Sequence, residues 1–227
     1  MGRTVFVLSV PLFLFSLAIG AAINSAWWYN SGMERFGVSQ VTGIEEPQLR
    51  LISKGLIHYF NSNEEYINLE VVKQGQTITV FNETEILHLR DVKKLIWTDY
   101  KIWFGSLLYI LIYAVIVLMW RKKGGWREIA GVFFSGSLLT ILLMVFMGVA
   151  VLIGFDTIFW DFHVISFNND FWLLDPSRDY LIMLFPEGFW YDSFLLVAGM
   201  TGAMAIIAAV VCGRWLWVKR KEAIIKG

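Results

Sequence analysis

The sequence predicts a mainly α, polytopic membrane protein with four transmembrane helices. A small α+β extracytoplasmic domain is expected between spans 1 and 2, and an aromatic-rich outer loop between spans 3 and 4. Three observations lead there. Val5 to Trp28, Ile102 to Trp120, Ile129 to Phe155 and Ser193 to Gly213 contain no Asp, Glu, Lys or Arg, and about 20 apolar residues suffice to span the hydrocarbon core. Basic residues gather at alternate ends of these runs. The acidic stretches between them carry helix, hairpin and aromatic signals, so they are folded regions and not linkers.

The runs divide the chain into span 1 (5–28), an extracytoplasmic domain (29–101), span 2 (102–120), a cytoplasmic loop (121–128), span 3 (129–155), an extracytoplasmic aromatic loop (156–192), span 4 (193–213) and a cytoplasmic tail (214–227). Orientation follows from the preference of Lys and Arg near span ends for the cytoplasm. Arg3, the cluster Arg121, Lys122, Lys123 and Arg127, and the tail residues Arg214, Lys219, Arg220, Lys221 and Lys226 all fall on one side if the spans alternate. Both termini are then cytoplasmic. That side has 10 basic residues against the two acids Glu128 and Glu222, while the outer loops have 9 basic and 17 acidic residues. A chain with zero net charge therefore sorts nearly all of its acid to one face, and His88 and His163 go with it.

Span 1 has small residues at Gly20 to Ala22 and at Ser25 and Ala26, as a cleaved secretory signal would. Its apolar core exceeds the usual 7 to 15 residues of a signal, so a retained helix is expected. Cys212 is the single cysteine, which rules out an intramolecular disulfide and places the thiol at the end away from the outer face.

Within the first outer segment, Glu45 and Glu46 precede Pro47 as at a helix start, and Leu49, Ile52, Leu56, Ile57 and Phe60 recur at helical spacing. Ile67 to Val72 and Thr77 to Phe81 are β-prone runs separated by Lys73 to Gln76, which reads as a hairpin. Asn82 can cap the next helix with Glu85 at the capping-box position, and Ile86, Leu89, Val92 and Ile96 share one face. No Gly or Pro interrupts the chain from there to Phe104, so this helix is expected to run on toward span 2. It carries His88 with Asp91 three residues later, close enough for a carboxylate to fix an imidazole tautomer. The same spacing also describes an ordinary surface pair.

The second outer segment supplies context. Phe155 to Phe194 holds 13 aromatic residues in 40, interleaved with Asp161, Asp170, Asp175 and Asp179. Taken singly, each ring is a belt or packing residue at headgroup depth. His163, Asn168, Asn169 and Arg178 stand out, because polar groups at membrane depth are costly unless paired or used.

The stretch HLRDVK (His88 to Lys93) and the stretch FHVISFNNDFWLLDPSRDYLIMLFPEGFW (Phe162 to Trp190) resemble the bacterial lipoprotein intramolecular transacylase (Lit) family, as does the order of one span, an outer domain, two spans, an aromatic outer loop and a final span. The resemblance implies an enzyme that acts on lipoproteins whose N-terminal cysteine bears a thioether-linked diacylglyceryl group. It implies transfer of the sn-2 acyl chain to that cysteine's own α-amino group, giving the N-acyl, S-monoacylglyceryl (lyso) form. The implied location is the bacterial cytoplasmic membrane, with the active site on the extracytoplasmic side.

Ester aminolysis within one molecule needs no cofactor, and none is expected. His163 is the expected base, or alternatively a nucleophile that briefly takes the acyl group. His88 would polarise the carbonyl or relay a proton to the leaving alkoxide, and Asp91 would orient His88. Arg178 or Asn168 would hold the glyceryl oxygens or the oxyanion, with Asn169, Trp172, Asp175 and Arg90 as further substrate-binding residues. His58, between Ile57 and Tyr59, is expected to be structural or exposed. Ser166 is the one outer serine worth testing as a nucleophile, since no G-x-S-x-G elbow occurs. The expected partners are diacylglyceryl lipoprotein N-termini and membrane lipid, with no nucleic acid; a monomer is consistent with the sequence.

Three other readings compete. A metal-dependent membrane hydrolase would use His88, His163 and nearby Asp around zinc, though no H-E-x-x-H or Cys pair supports it. A lipid or peptide sensor would use the outer domain to bind without chemistry. A transporter is disfavoured, because the spans offer only Asn24 and a few hydroxyls to line a polar path. Small residues of span 4, such as Ala198, Gly199, Gly202, Ala203, Ala205 and Ala209, suit close helix packing instead.

Overall fold

In the computed structural model, which describes residues 2–121 and 124–225, the second, third and fourth charge-free runs each lie in one long helix, and the first lies in a long helix as far as Ile23. The chain runs α1 (Gly2–Ile23), α2 (Ala26–Arg35), α3 (Val38–Thr42), α4 (Glu46–Asn61), β1 (Glu70–Lys73), β2 (Gln76–Thr79), α5 (Glu83–Trp120), α6 (Gly125–Ser166), α7 (Tyr180–Leu184) and α8 (Glu187–Ile225). Helices α1, α5, α6 and α8 are long and apolar enough to cross a membrane, and the protein is a mainly α integral membrane protein. Lys122, Lys123 and Lys226, which contribute to the charge asymmetry, lie outside the described residues.

The chain forms two compact units. One comprises the chain up to Ile19, Asp99–Leu152 and the chain from Leu195. Its core is a stripe on α1, with Phe6, Val10 and Leu14 meeting Ile110 of α5, Val132 of α6 and Ala205 of α8. The four-residue spacing keeps the α1 residues on one face. At Gly136 a Cβ would sit 2.7 Å from Val10, so α1 and α6 approach there as only glycine allows. The small residues of α8 divide: Ala205 and Ala209 are buried with Thr201, whereas a Cβ on Gly199 or Gly202 would meet nothing. Close packing thus involves one edge of that stripe and not the whole of it.

The other unit comprises Gly20–Thr98 and Ile153–Phe194. The first apolar run does not remain one helix. Helix α1 ends at Ile23, and Ser25 starts α2 by accepting the N–H of Trp28 on its hydroxyl (3.2 Å). Asn24 turns its amide back onto the Gly20 carbonyl (2.7 Å). Short polar side chains offer the backbone local partners of this kind and so end helices. In α4, Leu49, Ile52, Leu56, Tyr59 and Phe60 are buried, while Ile57 is only half-buried and His58 is exposed.

The hairpin is tighter than its β-prone runs suggest. Glu70 pairs with Thr79 and Lys73 with Gln76, so the turn is the two residues Gln74 and Gly75. Both have positive φ (52° and 79°), the type I′ geometry whose twist matches the strands. Helix α5 is unbroken from Glu83. Helix α6 continues to Ser166 but is kinked at Gly154 (φ −160°, ψ 59°), so the first third of the aromatic segment is helical.

Candidate active site

The start of α5 is fixed by a reciprocal capping box: Asn82 donates its N–H to Glu85 Oε2 (2.8 Å), and Glu85 donates its N–H to Asn82 Oδ1 (3.1 Å). The same carboxylate accepts the Leu181 N–H on Oε1 (2.6 Å). The Asn82 amide donates to Asp179 Oδ1 (2.9 Å), and Asp179 Oδ2 accepts the Asp175 N–H (2.7 Å). Helix α5 and the segment after α6 are therefore tied at Glu85, which is 1% exposed. Burial raises its pKa, opposed by the two backbone N–H groups. The sequence marks Glu85 as a cap; its second bond, made 96 residues away, carries no local signal.

One turn into α5, His88 is buried with its ring centroid 6.1 Å from that of His163, the planes inclined by 30°. Buried Phe167 touches both, edge-on to His88 at 5.1 Å and tilted by 43° to His163 at 5.8 Å. Trp172 lies 5.0 Å from His163 and inclined by 31°, with Trp160 edge-on behind it at 4.8 Å. Phe159 completes the cage at 4.5 Å. The Nδ1 of His163 is 2.7 Å from the Phe159 carbonyl oxygen. A carbonyl only accepts, so Nδ1 carries the proton and Nε2 presents its lone pair.

Both imidazoles are held neutral. His88 is pushed down to about 4, chiefly by burial and further by His163, with Asp91 opposing. His163 also lies below the ordinary value because of burial, with the Phe159 carbonyl pulling the other way. Asp91 makes no hydrogen bond to His88, contrary to what the i,i+3 spacing suggests. Its Oδ1 accepts Lys94 Nζ (2.8 Å) and its Oδ2 accepts the Asn169 amide (2.9 Å). Burial raises Asp91, but these bonds and the charges of Lys94 and Arg90 outweigh it and hold the carboxyl below its usual range.

The remaining candidates divide. Trp172 and Asn169 join the histidine cluster. Arg90 stacks over Tyr66 and donates to its hydroxyl (3.0 Å). Asp175 organises its own turn, accepting the Ser177 N–H and hydroxyl; those bonds and Arg178 lower its pKa. Arg178 is exposed and pairs with Asp179 (3.4 Å) beside a recess of about 320 Å³ lined by Asn82, Glu83, Thr84, Arg178 and Asp179. Asn168 is exposed, and Ser166 ends α6. Among the described residues, no three His, Cys, Asp or Glu side chains are grouped to hold a metal ion.

The fold is that of a membrane-integral transacylase. It superimposes with a TM-score of 0.80 on the lipoprotein intramolecular transacylase Lit of Bacillus cereus, at 19% identity, over 97% of this chain and 96% of that one. Two structures of the same enzyme, each with one histidine substituted, match at 0.76 and 19% identity, covering at least 97% of this chain and at least 93% of theirs. An uncharacterised protein of Aquifex aeolicus is 27% identical over 194 residues, spanning 80% of this chain and 77% of that protein. The profile of the lipoprotein intramolecular transacylase Lit family matches residues 4–190. The chain belongs to that family, and is thus an acyltransferase that acts on lipoproteins in the membrane.

Proposed function

We propose that the enzyme moves the sn-2 acyl chain of an S-diacylglyceryl cysteine to the α-amino group of the same cysteine, using His163 and His88. The observation that carries this is the pair of neutral, closely spaced imidazoles, one with a directed Nε2 lone pair. The amine nitrogen attacks the sn-2 ester carbonyl, a C–N bond forms, and His163 Nε2 takes the proton. The sn-2 C–O bond then breaks and the proton passes, directly or through His88, to the leaving alkoxide. Atoms are conserved, so substrate and product have equal mass. Holding amine and ester together can contribute about 7–11 kcal/mol in favourable intramolecular cases. The site faces the extracytoplasmic side of the bacterial cytoplasmic membrane, with both termini cytoplasmic, as the charge asymmetry favours.

Purified enzyme incubated with a diacylated lipopeptide tests the reading. Mass spectrometry should show an unchanged total mass, with fragmentation placing one acyl chain on the amine. Loss of an acyl chain would signify a hydrolase, and untouched substrate a sensor.

The pH dependence follows from the imidazole shifts. The competent imidazole of His163 is neutral, and burial lowers its pKa from the ordinary value, so it stays neutral across the range in which the substrate amine titrates. The substrate amine, with a pKa of about 7.7–8.0, must lose its proton to attack. Between pH 6.5 and 7.5 kcat/KM should therefore rise about sevenfold and level off above the amine's pKa. A profile flat from pH 6 to 8 would contradict this assignment, as would one falling above pH 7.

A further inference from the structure

We propose that Asn169 is a positioning residue and not a substrate ligand: its amide clamps the segment after α6 to Asp91 of α5 and thereby sets the separation of the two histidine rings. This rests on the two-histidine reading. Asn169 uses both ends of its amide. Its Oδ1 accepts the Phe171 N–H (3.1 Å), and its Nδ2 donates to Asp91 Oδ2 (2.9 Å). The assignment is self-consistent, because only the carbonyl end can receive an N–H and only the amino end can face a carboxylate. Asp91 is held in turn by Lys94 on its other oxygen (2.8 Å), so each oxygen already has a partner other than His88.

The clamp spans the gap that matters. Asp91 is one turn beyond His88 on the same helix, and Asn169 is six residues beyond His163. Between the two histidines lies Phe167, which is buried and touches both rings. A hydrogen bond with a charged acceptor is short and directional, so it holds the loop in register with α5. Losing it lets Phe167 and His163 shift against His88 without removing a group that meets substrate.

The bond's polarity provides the test. Asn169→Asp sets two carboxylates against each other, and exposed Lys94 cannot pair with both. The combined swap Asp91→Asn with Asn169→Asp restores every bond: the new carboxylate at 169 accepts the Phe171 N–H and the amide at 91, and that amide's carbonyl still accepts Lys94. Turnover of a diacylated lipopeptide is measured for each variant, with chromatographic homogeneity and melting temperature as folding checks. Asn169→Asp should lower kcat about 10²-fold with KM little changed, and the swap should return it to within about fivefold of wild type. Asn169→Ser, which adds no charge, should also lower kcat and serves as the test if the aspartate variant does not fold. A raised KM at unchanged kcat, or a folded swap as slow as Asn169→Asp, would overturn the proposal in favour of direct substrate contact. His88→Ala and His163→Ala in the same assay separate the two ideas. Full activity in those variants defeats the histidine reading, whereas inactive histidine variants beside a fully active Asn169→Asp defeat the clamp alone.

Discussion

Alanine at position 163 is expected to lower the rate of N-acyl product formation by about 10²–10⁴-fold, the range over which a positioned general base acts. That is about 3–5.5 kcal/mol of barrier. The expectation is this large because no other group is placed to substitute. His163 has a lone pair fixed by the Nδ1 bond to the Phe159 carbonyl, its ring is wedged between Trp172 and Phe159, and its neighbour His88 is more deeply buried and harder to protonate. His88→Ala should also be severe but less so if its part is to relay or polarise. Both variants should remain folded, since neither ring supplies a hydrogen bond between elements. Tandem mass spectrometry of a diacylated lipopeptide gives the rate, and intact-protein mass after rapid quenching reports whether an acyl group rests on the enzyme. Wild-type turnover in His163→Ala would remove that residue from the mechanism.

What could be read from the residues, and what could not, follows the range of each signal. The capping box at Asn82 and Glu85, the uninterrupted α5 and the face of α4 are local or periodic, and they appear in the fold where their side chains require. Charge sorting puts His88 and His163 on one face, and their ring centroids stand 6.1 Å apart. Misreadings arise where one local rule competes with another. Apolar continuity suggests a helix through Trp28, but the side chains of Asn24 and Ser25 end it. Helical spacing suggests a His88–Asp91 pair, but long-range Asn169 and local Lys94 take the carboxylate first. Arg178 and Asp175, polar residues in an aromatic stretch, are candidate ligands by composition, and the fold adds that Asp175 closes a turn and that Arg178 stands exposed beside Asp179. Only tertiary contact distinguishes a polar group kept for chemistry from one kept for architecture.

Glu85 is the clearest architectural case, and its replacement should have the largest effect on stability. Each carboxylate oxygen satisfies a different backbone N–H, Asn82 on one side and Leu181 on the other. Glu85→Ala leaves the buried Leu181 N–H without an acceptor, at about 1–3 kcal/mol, while the Asn82 N–H of an exposed residue turns to water and only the cap, about 1 kcal/mol, is lost. Glu85→Gln keeps one acceptor but points an NH₂ at the other donor, so it should forfeit roughly half as much. The melting temperature in detergent should therefore rank wild type, Gln, Ala. For a chain of this size, about 3 kcal/mol in the alanine variant corresponds to roughly 6–12 °C. Activity should fall below the melting point as well, because Leu181 and, through Asn82, Asp179 anchor the segment that follows His163. Equal stability of the Gln and wild-type proteins would mean that one of the two bonds carries no weight. Equal stability of all three would show that the tie between α5 and α7 does not hold this unit together.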